Sequence, residues 1–231
     1  MSTESHASDP TPLIAMVGGT GNLGAALARR WGKAGLEVMI GSRDAGRASQ
    51  TAAALAQELG RPVRAGSNAQ AAAAAGLIVV TVPYSAHAAT LAEIKSAAAG
   101  KLLIDTTVPL VPPKVMRVQL PPEGSAAVKA QQLLGEAVTV VSAFHSVAAH
   151  KLATDALIDC DVLVFGDQRA ARQRVIALAR AAGLRGLHGG SLANSAAAEA
   201  LTSVLIFINK TYAVDGAGIR ITGALTEPAD G

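Results

Sequence analysis

The sequence is short of cysteine, aromatic residues and charge, and each shortage excludes a class of site. Cys160 is the single cysteine among 231 residues, which excludes an internal disulfide and a metal site built from several thiolates. Aromatic residues make up 3% of the chain and charged residues 16%, the formal net charge is +3, and Lys and Arg form no run. A nucleic acid would need a basic stripe or stacking aromatics. We therefore expect no nucleic-acid partner, and the five scattered histidines predict no metal site.

Long apolar runs and targeting signals are also missing. One of the most apolar stretches, residues 201–208, is far shorter than the roughly 20 residues that cross a bilayer. Residues 1–12 have neither the basic start nor the apolar core of a signal peptide, and we interpret them as a short disordered leader. The expectation is a cytoplasmic protein with no membrane partner.

Apolar residues make up 50% of the chain and fall in short runs that alternate with helical segments. Runs that are rich in Val, Ile and Leu and too short for a helix are typical of parallel strands buried on both faces. With right-handed crossovers, the alternation predicts an α/β fold of the Rossmann type, with a doubly wound, mainly parallel sheet. The predicted strands lie within residues 13–19, 37–42, 62–66, 77–83, 101–107, 137–144, 161–167 and 218–223.

Two segments depart from this alternation. Residues 108–124 contain five prolines, so we predict a loop there that borders a site. Residues 191–213 read as the longest helix and are apolar on more than one face. Such a helix is buried centrally or lies at a subunit contact, and we expect at least a dimer.

The first strand leads into a glycine-rich turn and then a helix. Gly19, Gly21 and Gly24 fit the pattern G-x-G-x-x-G. In a dinucleotide-binding turn the first glycine allows the tight turn, the second lets the backbone approach a pyrophosphate, and the third lets the helix pack close to the sheet. The helix N-terminus supplies free N–H groups for the phosphates. The context of strand, turn and helix therefore predicts a dinucleotide site.

The end of the second predicted strand indicates which dinucleotide binds. An NAD site usually places Asp or Glu there, to hold the ribose 2′-hydroxyl. This chain has Ser42 at that place, followed by Arg43 and Arg47. A hydroxyl and guanidinium groups would bind a 2′-phosphate, so we favour NADP(H). Asp44 argues against this choice unless it caps the next helix, which its position suits.

The carboxyl ends of the fourth and fifth predicted strands should also border the cofactor, since ligands of such sheets lie there. This places Thr81, Val82, Pro83 and Tyr84 beside the cofactor. Thr106 and Thr107, at the end of the fifth strand, should border it as well. His87 could reach the same site, but we expect it on a helix surface.

The chain resembles the NADPH-dependent reductases of coenzyme F420 from about residue 13 to 223. The resemblance rests on blocks in the family's order: GGTGNLG, IGSRD, TVPYSAH, VVSAFHSVAAHKLA, GSLANS and EALTSVLIFIN. It implies a Rossmann domain at 13–146 and a small, helical C-terminal lobe at 147–231 that completes the acceptor site and makes subunit contacts. It also implies an oxidoreductase that moves a hydride between the nicotinamide of NADP(H) and C5 of the deazaflavin. Coenzyme F420 would then be the small-molecule redox partner.

The resemblance also implies roles for individual residues. On the cofactor side, the positions that match the family's NADP contacts are Thr20, Asn22, Leu23, Ser42, Arg43, Arg47 and Pro83. On the acceptor side, the positions that match the deazaflavin-lining segment and the start of the C-terminal lobe are Ser142, Phe144, His145, Asn194 and Ser195.

The acceptor side departs from the family in two places. Ala196 stands where the family has a basic residue, and the proline-rich loop differs from the usual form. Two alternatives therefore stay open: an NADPH-dependent reductase of a flavin, quinone, metal chelate or imine, and a non-catalytic NADP(H)-binding redox sensor. Direct hydride transfer needs positioning more than side-chain chemistry. His145 is the candidate catalytic residue, with an orienting role at the acceptor ring, and the alternative is a hydrogen-bonded histidine at a strand end.

Overall fold

A computed structural model describes residues 12–226 of the chain. The predicted leader at 1–12 lies, apart from Pro12, outside the described residues. The strands are β1 Ile14–Val17, β2 Val38–Ser42, β3 Arg64–Ser67, β4 Leu77–Val80, β5 Leu102–Asp105, β6 Thr139–Ser142, β7 Asp161–Phe165 and β8 Arg185–Gly190. The helices are α1 Asn22–Lys33, α2 Ala45–Leu59, α3 Asn68–Ala74, α4 Tyr84–Ala98, α5 Ala126–Leu134, α6 Ala149–Leu152, α7 Arg169–Ala181 and α8 Ser195–Tyr212, with a 3-10 turn at Leu192–Asn194.

The strands form one sheet in the order β3-β2-β1-β4-β5-β6-β7-β8. All neighbours run parallel except β6 and β7, which pair antiparallel. The predicted α/β class with a doubly wound, mainly parallel sheet is therefore confirmed. Short runs of branched aliphatic residues form the central strands because both faces of the sheet are covered.

Two apolar layers cover the sheet. One face packs against α1, α2 and α7, and the other against α3, α4 and α5. Trp31 of α1 is fully buried in the first layer, meets the ring of Phe144 edge-on at 6.0 Å between centroids, and donates its indole N–H to the Leu178 carbonyl at 2.8 Å. This contact ties α1 to the end of β6 and to α7.

The register brings the carboxyl ends of five strands into one row. Val17 pairs with Gly41 and with Val80, Val80 pairs with Asp105, and Asp105 pairs with Ser142. Residues that follow these positions therefore share one edge of the sheet. This is the edge where ligands of doubly wound sheets bind.

The C-terminal third differs from the sequence prediction in its strands. Strand β8 was not predicted, and it lies beside β7 as an edge strand of the same sheet. Residues 218–223 form no strand, so that prediction is wrong. The Ile219 carbonyl accepts from the Asp161 N–H, and Ile221 donates its N–H to the Asp161 carboxylate and accepts from Arg185 through its carbonyl. The division into a domain at 13–146 and a lobe at 147–231 stays a prediction.

The long helix α8 packs against α5 and β7. Among the described residues, the segment Leu192–Tyr212 is long and apolar enough to cross a membrane by length and composition, with 33% of its most apolar window buried in the protein. The core helices of globular proteins meet the same criterion. The outer face of α8 leaves Val204, Phe207 and Tyr212 exposed.

Candidate functional site

The turn after β1 is built by two consecutive glycines. Gly18 has a φ of 77°, in the left-handed region, and its N–H donates to Asn68 Oδ1 at 3.1 Å. The N–H of Gly19 donates to the carbonyls of Met16 and Gly41 at 3.0 and 2.9 Å. A Cβ on Gly19 would lie 2.7 Å from the Met16 oxygen, so neither glycine can be replaced without moving the turn. The left-handed residue is thus Gly18, one place before the glycine to which the sequence pattern assigned the tight turn.

Gly24 brings α1 close to the sheet. A Cβ there would lie 2.5 Å from Thr81 Oγ1 and 2.9 Å from the Gly19 Cα. This is the packing role that the sequence pattern predicts for the third glycine. Gly19 and Gly24 are both buried, so they shape the turn for the more exposed residues between them.

Helix α1 begins without a capping side chain. Its N-cap is Gly21, and its first turn holds no acidic residue. The first N–H groups of a helix have no partner within the helix, and they carry the positive end of its dipole. Within the described part of the chain no anionic side chain lies in that turn. Such a helix start fits a phosphate group, and Thr20, Asn22 and Leu23 lie at its surface.

The end of β2 carries a hydroxyl. Ser42 is buried, its Oγ lies 3.4 Å from Thr20 Oγ1, and it accepts from the Asp44 N–H at 3.2 Å. Asp44 in turn caps α2 by accepting from the Arg47 N–H at 3.0 Å, as its position predicted. The side chains of Arg43 and Arg47 are exposed, and among residues 12–226 neither guanidinium has an ion-pair partner. Both therefore remain available for an anion beside Ser42.

The segment after β4 crosses the same edge. The Thr81 hydroxyl donates to the Val17 carbonyl at 3.0 Å, and the segment reaches α4 through Pro83, its N-cap residue. Tyr84 begins α4, with Lys129 Nζ 5.8 Å from its ring centroid. Val82 and Tyr84 are partly exposed, so both can meet a ligand at this edge.

His87 is buried, so its predicted place on a helix surface is wrong. Its Nε2 lies 2.7 Å from Asp105 Oδ2, with both side chains no more than 1% exposed. The other Asp105 oxygen accepts from the Thr107 N–H at 3.0 Å. Asp105 is the last residue of β5 and lies in the row of strand ends. This pair could not be predicted from the sequence, because its members are 18 residues apart and lie on different elements.

The segment after β6 turns sharply at Phe144. This residue has a φ of 68°, and its ring is buried against Trp31. The ring therefore lies in the core, and Phe144 affects the position of His145 through its backbone turn. Whether Phe144 lines an acceptor site stays a prediction. His145 Nε2 lies 2.7 Å from Ser142 Oγ. Burial lowers the pKa of His145 to about 4, against the opposing charge of Asp105, so the imidazole is neutral near pH 7.

His145 borders a cavity of about 420 Å³. Its walls come from the segment after β6, from α8 and from the chain after α8, and they include His145, Ala148, Thr202, Asn209, Asp215 and Gly216. The Thr202 hydroxyl is shared between the carbonyls of His145 and Ala198, each at 3.1 Å. His150 Nε2 and Asp215 Oδ1 lie 2.8 Å apart at the rim. The side chain of His145 is buried, with 8% exposed, so only a small part of this residue borders the cavity.

The predicted residues at the start of α8 serve its attachment. Asn194 Nδ2 donates to the Gly189 carbonyl at 3.1 Å, and Ser195 Oγ donates to Ser125 Oγ at 2.8 Å. Ser195 is fully buried, so it joins α8 to α5. Whether Asn194 and Ser195 also contact an acceptor stays a prediction.

Two functional candidates on α8 were missed by the sequence analysis. These are Thr202, at the His145 carbonyl, and Glu199, which is 1% exposed. Burial raises the pKa of Glu199 to about 7; hydrogen bonds from the Ala126 and Ala127 N–H groups oppose this, and the charge of Asp105 adds to it. Ser195, Glu199 and Thr202 are spaced by four and three residues, which places them on one helix face. This stripe of polar residues in an otherwise apolar helix is the sequence signal that could have identified Glu199 and Thr202.

Comparisons with known proteins match this architecture. The family described as NADP oxidoreductase, coenzyme F420-dependent, matches residues 13–109. The F420-dependent NADP reductase of Methanothermobacter thermautotrophicus is 41% identical over 218 residues, which cover 90% of this chain and 94% of the relative. That of Methanocaldococcus jannaschii is 37% identical over 220 residues, 90% of this chain and 97% of the relative.

A solved structure shares the fold. A protein from Arthrobacter sp. FB24 superposes with a TM-score of 0.76 and 23% identity, over 91% of this chain and 98% of that one. In the described residues, no group of three or more His, Cys, Asp or Glu could hold a metal ion. With near-complete coverage of relatives at 37–41% identity, the chain belongs to the family of F420-dependent NADP reductases.

Proposed function

We propose that this protein transfers a hydride between NADP(H) and coenzyme F420. The observation that carries the proposal is the row of strand ends. It places the uncapped start of α1, the Ser42 hydroxyl and the His145 cavity along one edge of one sheet. A dinucleotide and a second ring system can therefore approach each other there.

The residues of the first half fit NADP(H). The start of α1 would hold the pyrophosphate through its N–H groups, with Thr20, Asn22 and Leu23 beside it. Ser42, Arg43 and Arg47 would hold the 2′-phosphate. Thr81, Val82, Pro83 and Tyr84 would border the nicotinamide end. Bound NADPH would supply the hydride itself, so the protein's task is to fix the position of the two rings.

The residues at the His145 cavity fit an orienting role at the acceptor. With a pKa of about 4, His145 is a neutral polar group near pH 7 and not a store of protons. Its Nε2 is shared with Ser142 Oγ, which fixes the ring orientation. Of the predicted acceptor set, His145 borders the cavity, and the fully buried Ser142 holds its ring. Phe144 forms the backbone turn, and Asn194 and Ser195 attach α8.

The test is to mix the purified protein with NADPH and coenzyme F420 and to follow the deazaflavin absorbance. We expect bleaching that needs the protein and that NADH supports poorly. If NADPH binds and no bleaching follows, the acceptor assignment is wrong. The same assay then turns to a flavin, a quinone, a metal chelate and an imine. NADPH binding without turnover of any of them would favour the redox sensor.

We also propose that the protein is a cytoplasmic homodimer that contacts through the outer face of α8. Val204, Phe207 and Tyr212 are 42%, 52% and 73% exposed on that helix. The opposite face is committed to α5 through Ser195 and Glu199, which favours a subunit contact over a membrane. Light scattering at micromolar concentration should give twice the mass of one chain; the mass of a single chain would rule the dimer out.

A further inference from the structure

We propose that Glu199 is a positioning residue of the acceptor site. By holding the first turns of α8 on the N-terminus of α5, its carboxyl sets where α8 meets the backbone of His145. The inference rests on the proposed function, because its main consequence is measured as acceptor binding.

The first step of the argument is the contact that Glu199 makes. Its Oε2 accepts from the Ala126 N–H at 2.6 Å, and its Oε1 accepts from the Ala127 N–H at 3.1 Å. These are the first two residues of α5, whose N–H groups have no partner inside the helix. Ser125, the N-cap residue of α5, accepts from the Val128 N–H of the same first turn at 3.0 Å. The start of α5 is therefore completed by a side chain of another helix.

The second step is the face of α8 on which Glu199 lies. Ser195, one turn before it, donates to Ser125 at the same end of α5. Thr202, one turn after it, shares its hydroxyl proton between the carbonyls of His145 and Ala198, each at 3.1 Å. The helix face that attaches to α5 therefore leads into the acceptor cavity. The α8 residues that line this cavity begin at Thr202 and end at Asn209. A shift of α8 on α5 would move Thr202 relative to His145 and change the cavity.

The third step is the set of charges around the carboxyl. The dipole at the start of α5 favours the ionised form. Asp105, at the end of β5, disfavours it, and His87, on α4, opposes Asp105. Burial outweighs the other effects and brings the pKa of Glu199 to about 7. The ionised carboxylate offers two acceptor oxygens to two N–H groups. In the protonated form one oxygen is a hydroxyl, so one N–H is poorly matched and the attachment is weaker.

The experiment compares steady-state kinetics of the full chain and of Glu199→Gln from pH 6 to pH 8, centred on the pKa of about 7. In the wild type, the KM for coenzyme F420 should rise as the pH falls through 7, while the KM for NADPH stays nearly constant. In Glu199→Gln the KM for F420 should be raised by about tenfold or more at every pH, as loss of a hydrogen bond to a charged group allows. The step near pH 7 should be absent.

Glu136→Gln is the matched control. Glu136 is an exposed acid between the end of α5 and the start of β6, at the sheet edge opposite the row of strand ends, and no hydrogen bond or ion pair joins it to α8 among the described residues. This variant should keep the wild-type KM for F420 and its pH step. Ser195→Ala removes the hydrogen bond between Ser195 and Ser125, which also joins α8 to α5. It should raise the KM for F420 modestly and leave the change near pH 7 in place.

The outcomes separate the inference from the proposed function. A folded Glu199→Gln with a wild-type KM for F420, or an equal loss for NADPH and F420, would overturn the positioning role. If Glu199→Gln does not fold, a wild type without a pH step in the F420 KM would overturn it. If the wild type does not turn over F420, the proposed function fails. Amide exchange at Ala126 and Ala127 then decides the attachment: it should be faster in Glu199→Gln than in Glu136→Gln at one pH, and equal rates would refute it.

Discussion

The carboxylate of Asp44 accepts a hydrogen bond from the backbone N–H of Arg47 at 3.0 Å. The acid closest to the expected ribose-binding position is thereby committed to capping α2. Ser42 is left as the polar side chain at the strand end, with the guanidinium groups of Arg43 and Arg47 exposed beside it. This arrangement suits a 2′-phosphate better than a free 2′-hydroxyl.

Replacing Arg43 with alanine should change the choice of cofactor. We expect Arg43→Ala to weaken NADPH binding by about 10- to 150-fold, the range for hydrogen bonds to charged groups, and to leave NADH binding nearly unchanged. The measurement is the dissociation constant of each cofactor from fluorescence titration.

Arg64→Ala is the control for Arg43→Ala, because Arg64 is exposed as the first residue of β3, at the amino ends of the strands and so away from the edge that carries Ser42. It should leave both dissociation constants unchanged. An equal loss of NADPH and NADH affinity in Arg43→Ala would show that Arg43 does not recognise the 2′-phosphate.

A methyl group on Gly24 should force α1 away from the sheet. The new Cβ would lie 2.9 Å from the Gly19 Cα, and backbone cannot rotate aside. We expect Gly24→Ala to lower the free energy of unfolding by about 1–3 kcal/mol, as overpacking does, and to weaken NADPH binding because the start of α1 moves. Denaturant unfolding and cofactor titration measure the two effects.

Gly46→Ala provides the matched comparison for Gly24→Ala. Gly46 is exposed on α2, and the nearest atom to its Cβ would be Asp44 Oδ1 at 3.3 Å. Alanine is favoured there, so a gain of roughly 0.4–1 kcal/mol is expected. If both variants have wild-type stability, the close approach of α1 to the turn is not a constraint.

The central sheet could be predicted from the sequence because its strands are local runs of branched aliphatic residues. The glycine turn and the Asp44 cap could be predicted for the same reason, since each involves residues within a few positions. Strand β8 could not, because three of its six residues are glycine. Glycine has low strand propensity, and at Gly189 it is required because a Cβ would enter the ring of Phe165.

The buried polar groups near the site could not be predicted, since their partners are distant in sequence. Glu199 reaches Ala126 across 73 residues, and Asp105 reaches Ser142 only through strand pairing. A lone carboxylate in an apolar helix indicates a buried contact but not its partner. His87 looked like a surface residue because α4 shows little separation of polar and apolar faces.

The pair His87 and Asp105 should be strongly coupled. Loss of one partner leaves a buried polar group unmatched, so we expect His87→Leu and Asp105→Asn each to destabilise the protein by about 1–3 kcal/mol or more. The double variant should lose less than the sum, with a coupling free energy of about 1.5–3 kcal/mol. Denaturant unfolding of the four proteins measures it, and strictly additive losses would mean that the 2.7 Å contact contributes nothing to stability.

The neutral, buried His145 should make the protein less stable in acid. Its pKa is lowered from 6.5 to about 4 by burial. Between pH 6.5 and 4, His145 therefore binds a proton in the unfolded chain but stays neutral in the folded protein. The free energy of unfolding should therefore fall as the pH drops from 6.5 to 4, by about 3 kcal/mol from this group.

Glu199, with its raised pKa, acts in the opposite sense between pH 4.5 and 7. The effect of His145 is therefore measured as the difference in the free energy of unfolding between the wild type and His145→Gln. That difference should shrink steadily below pH 6.5. A pH-independent difference for His145→Gln would mean that its imidazole takes up a proton as readily in the folded protein as in the unfolded chain.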